Sequence, residues 1–176
     1  MSNFKAEPKS RAIIRDMANT VRKIAGVSSN MAFPIIQFIE IFLDSFGYDW
    51  EVCERAVMGN NYAVTYPSKK LLQIREDVYE ACVRGNGRHR YTLAHELGHI
   101  ILHNGVTTQL ARSEDEIRIF EDPEWQANTF AAELLAPSNC LENLDDYQIS
   151  ERYECSLQVA EIQRSHNIKY RGGISI

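Results

Sequence analysis

Arg90 to Asn104 reads RYTLAHELGHIILHN, and no other stretch limits the folding of this chain more tightly. Leu93, Leu97, Ile100 and Ile101 recur at helical spacing, whereas a strand would need them to alternate. The stretch is therefore predicted to be a helix with that apolar face buried. His95 and His99 lie four residues apart and away from that face, so both imidazoles project toward one point. A fold containing this helix must bring another element, or a ligand, opposite the two histidines.

Two imidazoles converging in this way suit two ligands of a tetrahedral zinc ion. Glu96 follows His95 directly, about 100° further around the helix, too far to share the ligand face but within reach of a water beside it. That is the H-E-x-x-H arrangement, in which the glutamate moves the proton during hydrolysis. Gly98, inside the motif, allows a second backbone to approach closely.

A catalytic zinc takes a third protein ligand and keeps one position open. The metzincin pattern would need Gly at 102 and His at 105, where this chain has Leu102 and Gly105. His103 lies about 12 Å along the helix from His95 and is expected beside the cleft. The favoured third ligand is Glu124 in PEWQANTFAAELL, 25 residues after His99. Glu124, Asn128 and Ala131 share a helical face, and Ala127 and Ala131 are small enough to let this helix approach the histidine helix. Asn128 could then orient a ligand imidazole. The plainer alternative is that Glu124 only complements the positive end of its helix. Glu121 and Glu133 are further ligand candidates. Tyr91, Tyr62, Tyr66 and His103 remain open as oxyanion partners.

The rest of the chain reads as scaffold. Arg11–Ala25 has the spacing of an amphipathic helix closed by Gly26, and a second helix is predicted from Pro34 to about Phe46, closed by Gly47. Residues 48–77 change to short runs of β-branched and aromatic residues between GNN and PSKK turn signals, which predicts two or three strands. Lys70–Glu76, KLLQIRE, is expected to supply a sheet edge along the cleft, to which an extended peptide could add as a strand. A short helical turn and a Gly-Asn-Gly loop lead into the histidine helix, and residues 105–122 read as loop. Asp122 as N-cap, Pro123 at the first position and Pro137 beyond the end bound the next helix. A final helix pair is predicted at about 146–153 and 156–166.

The formal charge of −5 argues against coating nucleic acid by phosphate neutralisation. The basic residues of the first helix, among them Arg11, Arg15, Arg22 and Lys23, read as a solvated face. The final pair could be a helix-turn-helix, but residues 141–166 hold six acids and only Arg152 and Arg164 as bases, so direct DNA binding is not expected. The four cysteines have no CxxC spacing and read as reduced thiols. MAFPIIQFIEIFL is broken by Pro34, Gln37 and Glu40 before reaching membrane-spanning length. With no leader pattern at the N-terminus, a cytoplasmic protein without membrane contact is expected.

RYTLAHELGHIILH and EWQANTFAAELLAP, preceded by IREDVYEACVRGNGR, together resemble the ImmA/IrrE family of small metallopeptidases over about residues 71–137. The resemblance implies an α+β, zincin-like metallopeptidase domain, mostly helical, with a small antiparallel or mixed sheet of about three strands. Residues 1–176 would form one domain, with N-terminal helices (1–47), a catalytic core (48–137) and C-terminal helices (138–176). It implies one Zn2+ per chain, with Mn2+ also admissible, held by His95, His99 and Glu124, and Glu96 as general base. It further implies an endopeptidase acting on a protein substrate, a helix-turn-helix transcriptional repressor, to relieve repression in mobile-element or stress regulation. The alternative is a non-catalytic zincin-fold regulator or antitoxin-like protein that acts by binding its partner. Two departures from the family pattern are Gln126, where an acid is common, and Ala136, where methionine is common. Relatives often carry a fused N-terminal DNA-binding domain, for which these 176 residues leave no room.

Overall fold

The computed structural model describes residues 4–104, 109–110, 117–141 and 143–171. Strand β1 (Phe4–Lys5) pairs antiparallel with β5 (Gln109–Leu110), so a short strand lies inside the stretch predicted to be loop. Helix α1 (Arg11–Ile24) begins where the Ile13 N–H donates to the Ser10 hydroxyl, satisfying one of the donors a helix start leaves open. Helix α2 (Ile35–Phe42) runs on through a 3-10 turn, Leu43–Phe46, and stops at Gly47, whose φ of 74° a side chain would resist.

The middle of the chain makes one three-stranded mixed sheet. Its strands are β2 (Asp49–Cys53), β3 (Ala63–Tyr66) and β4 (Leu71–Arg75), in the order β2-β4-β3. β4 runs parallel to β2 and antiparallel to β3. This corrects the expectation for Lys70–Glu76: β4 is the central strand, with its main-chain groups taken on both sides, and the edges of this sheet are β2 and β3. The hydrophobic alternation of LLQIR locates a strand but carries no information about which strands flank it. A short helix, α3 (Arg55–Met58), lies in the segment predicted to hold two or three short strands and turns.

Helix α4 (Glu76–Val83) leads into α5 (Gly87–His103), the histidine helix, capped by Asn86 accepting from the His89 N–H. Helix α6 (Pro123–Leu135) begins as predicted, with Asp122 accepting from the Glu124 N–H and Pro123 in the first turn. Helices α7 (Asp146–Tyr153) and α8 (Leu157–Arg171) complete the described chain. Leu93, Leu97 and Ile100 of α5 are fully buried against Phe130, Leu134 and Leu135 of α6, in one cluster that also takes Ile14 of α1, Leu72 and Ile74 of β4 and Tyr153 of α7. Leu102 is buried, while Ile101 lies only partly covered.

Buried arginines tie the helices together. Arg22, which read as a solvated charge, is 2% exposed and donates to the carbonyls of Leu134 (2.6 Å) and Ser28 (2.7 Å). Arg90 reaches the Phe33 carbonyl (2.7 Å) and the Glu154 carboxylate (3.1 Å). A guanidinium can be taken from water only where several acceptors meet its donors.

A tight helix contact lies between α5 and α6. A Cβ placed on Gly98 would stand 3.0 Å from Ala127 Cα and 3.1 Å from the Ala127 carbonyl oxygen. These are backbone atoms, so relief would require moving a whole helix. Gly98→Val should therefore destabilise the protein by about 1–3 kcal/mol through overpacking, read as a lowered midpoint of chemical denaturation. Unchanged stability would contradict this tight approach.

Candidate metal centre

The close approach of α5 and α6 is what assembles the site. His95 and His99 stand one turn apart on α5 with their Nε2 atoms 3.0 Å apart. Glu124, in the first turn of α6, places its carboxylate 3.4 Å from His95 Nε2 and 3.5 Å from His99 Nε2. Donors bound to one tetrahedral zinc at 2.0–2.1 Å would be separated by about 3.3 Å. The three residues thus form a group that could hold a metal ion. Burial, reinforced by His95 and His103, lowers the His99 pKa to about 3, which keeps the imidazole neutral, the form that can ligate a metal. Burial likewise pushes His103 toward its neutral form.

His95 is oriented from behind. Its Nδ1 lies 2.9 Å from the side-chain oxygen of Asn128, which also accepts from the Tyr91 hydroxyl at 3.0 Å. An oxygen can only accept, so His95 Nδ1 carries the hydrogen and Nε2 is left bare toward Glu124. Asn128 thus occupies the orienting position its helical spacing predicted.

Glu96 does not join the three donors. Its Oε2 accepts from the backbone N–H (2.9 Å) and hydroxyl (2.7 Å) of Thr65 on β3. Burial raises its pKa, while the two Thr65 bonds oppose that rise. Thr65 was not among the residues singled out from the sequence. The contact spans 31 positions, and no motif marks the partner of a glutamate that far away.

The other candidates fall elsewhere. Glu133 is fully buried on α6, where it accepts from the Ser138 N–H and hydroxyl and pairs with Arg11 at 3.3 Å. Glu121 accepts from the Arg118 N–H. His103 has Nδ1 against His99 and Nε2 against Gln126, so both ring nitrogens are engaged away from an oxyanion position. Tyr62 packs against His89 and under Arg75, and Tyr66 lies under Lys69. Among the four oxyanion candidates, Tyr91 is the one hydrogen-bonded to the residue that orients His95. A cavity of about 400 Å³ lined by Tyr91, Asn128, Trp125, Val159 and Ile162 opens on this side.

A mostly helical α+β domain with a small mixed sheet and a histidine helix of this kind defines a zincin-like protein. Residues 83–164, which include both motif helices, match the family model of the IrrE N-terminal-like domain, peptidase M78. That segment is similar to the ImmA/IrrE family, the resemblance carried by the motifs. The fold is similar to that of a Mycobacterium tuberculosis transcriptional regulator, with a TM-score of 0.58 and 15% sequence identity over 84% of this chain and 45% of the regulator. The chain thus spans less than half the length of that protein. No curated protein matches the sequence.

The two carboxylates of α6 should answer differently to truncation. Glu133→Ala leaves Arg11 and Ser138 with lost partners in a buried place and should cost about 3–5 kcal/mol. Glu124 is half-exposed, and Glu124→Ala should change the stability of the metal-free protein by less than about 1 kcal/mol. Urea denaturation of both variants without metal checks the contrast; equal losses would contradict it.

Proposed function

We propose that the protein is a zinc-dependent endopeptidase in which His95, His99 and Glu124 hold the metal and Glu96 is the general base. The observation that carries this reading is the meeting of two imidazole nitrogens and one carboxylate within 3.5 Å of one another, with a second, partly buried carboxylate held beside them. When bound, a zinc-type ion would supply Lewis acidity and bring a water toward ionisation near neutral pH. Mn2+ is an admissible substitute at a site of nitrogen and oxygen donors.

Glu96 takes the proton from the attacking water and returns it to the leaving amine. Its raised pKa suits it to both halves of that exchange, because a base is most effective when its pKa lies near the working pH. Thr65 keeps the carboxylate from swinging away, with two bonds to a single oxygen.

The same residue links the base to the path of the substrate. In the register of β3 on β4, Tyr62 and Val64 bond inward while Ala63 and Thr65 turn their main-chain groups outward. Among the described residues β3 has no strand on that outer side. An extended peptide could align there, which favours cleavage in an exposed or locally unfolded segment of a protein over cleavage in a folded core. The match of residues 83–164 to that family model, together with the transcriptional regulator of similar fold, supports a regulatory protein as the substrate class. The particular reading is a helix-turn-helix repressor met in the cytoplasm, where the four free cysteines would remain reduced.

Purified protein is expected to bind one zinc per chain, and His95→Ala combined with His99→Ala should abolish it. Glu96→Gln should keep the fold and the metal and lose hydrolysis by about 10²–10⁴-fold. Metal analysis, and intact mass of repressors encoded nearby after incubation with each variant, provide the readouts. Wild-type turnover by Glu96→Gln would refute the base. Tight repressor binding without cleavage, equally effective in cells for this variant, would move the reading to a non-catalytic binding protein.

A further inference from the structure

Behind His99 a line of hydrogen bonds leads away from the candidate metal position and ends at the backbone. His99 Nδ1 lies 3.3 Å from His103 Nδ1, and His103 Nε2 lies 3.1 Å from Gln126 Oε1. The amide nitrogen of Gln126, itself fully buried, donates to the carbonyls of Glu7 and Phe120, each at 2.8 Å. We infer that Gln126 and His103 are positioning residues that preset the tautomer of His99, so that its Nε2 offers a lone pair to the metal position before an ion arrives. The inference rests on His95 and His99 being the metal ligands.

The logic runs inward from the carbonyls. A carbonyl oxygen only accepts, and two of them face one end of the Gln126 side chain, so the NH2 group must be at that end. The amide oxygen is thereby turned to His103. Because that oxygen also only accepts, His103 Nε2 must carry a hydrogen. A neutral imidazole has one ring hydrogen, and its other nitrogen is an acceptor. His103 Nδ1 therefore accepts, and the hydrogen between the two rings belongs to His99 Nδ1. His99 Nε2 is left bare, 3.0 Å from the equally bare Nε2 of His95. Reversing the amide would set its oxygen against two carbonyl oxygens, two repulsive contacts in a buried place. Gln126 thus has a local reason to stand where relatives commonly carry an acid: a carboxylate would have no hydrogen for the carbonyls of Glu7 and Phe120.

The tautomers can be read directly. In a long-range ¹H–¹⁵N spectrum of the metal-free full chain near neutral pH, His103 should appear as the Nε2–H form and His99 as the Nδ1–H form. His103→Phe removes the acceptor and should give His99 a mixture of tautomers. It should also weaken Zn2+ affinity by about 10–100-fold in competition with a chromophoric chelator. His103→Gln can donate to Gln126 and accept from His99, and should recover most of that affinity. The Nδ1–H form at His103, or wild-type Zn2+ affinity in His103→Phe, would overturn the proposal. If His103→Phe does not fold, the wild-type spectrum decides. Zinc uptake that survives loss of both His95 and His99 is a separate result and would overturn the ligand assignment itself.

Discussion

The approach of α5 to α6 at Gly98 is the contact on which the other features depend. With 3.0 Å between the place of a Cβ and Ala127 Cα, two helices carrying unrelated polar residues are held at backbone contact. Their facing side chains then have little freedom. Glu124 comes opposite His95 and His99 because it stands one turn before Asn128 on the same face, and Ala127 between them adds almost no bulk. Glycine in the middle of a helix costs about 1 kcal/mol relative to alanine. Here that loss is what permits the shared site and the sealed Leu93–Leu97–Phe130–Leu134 core on the far side of the same pair.

Such a contact creates a second problem, since several titratable groups are then held away from water. The protein meets it by giving each group a defined partner. Asn128 stands behind His95, His103 behind His99, and Thr65 beside Glu96. Arg11 and Ser138 meet Glu133, and three main-chain carbonyls, those of Leu134, Ser28 and Met31, meet Arg22. An unpartnered buried polar group costs about 1–3 kcal/mol, so so many of them could not be accommodated by hydrophobic packing alone. The buried polar network fixes orientation, and the apolar cluster beneath supplies the driving force.

Much of this was legible in the residues. Helical spacing alone set His95 beside His99 and grouped Glu124 with Asn128, because a period of 3.6 translates sequence separation directly into direction. The caps of α6 and the span of α7 followed from Asp122, Pro123 and local pattern. What stayed hidden depends on tertiary arrangement. Strand order is one case: LLQIR looks the same at an edge as in the centre, and only the parallel pairing with Asp49–Cys53 makes β4 central. Thr65 is another, since nothing local distinguishes it from any threonine in a strand. Arg22 read as a surface charge because a basic side chain reveals its burial only through distant carbonyls. Gln126 showed itself as a departure from a family pattern, but its partners Glu7 and Phe120 come from other parts of the chain.

The two carbonyls that hold the Gln126 amide also tie the centre to a distant part of the chain. Glu7 precedes Gln126 by 119 positions, and the Lys9 N–H and Ala6 N–H close the same seam on Phe120 and Glu121. Closing a loop of that length carries a large entropy cost that is recovered only when the intervening helices and sheet already hold the ends near one another. The seam therefore depends on the packing of α5 and α6 to hold its two ends together. A chain that has gained its core but not this seam would hold its histidines close together with their ring hydrogens still unassigned. On this reading, the segment from Ala6 to Lys9 serves as the latch of the centre.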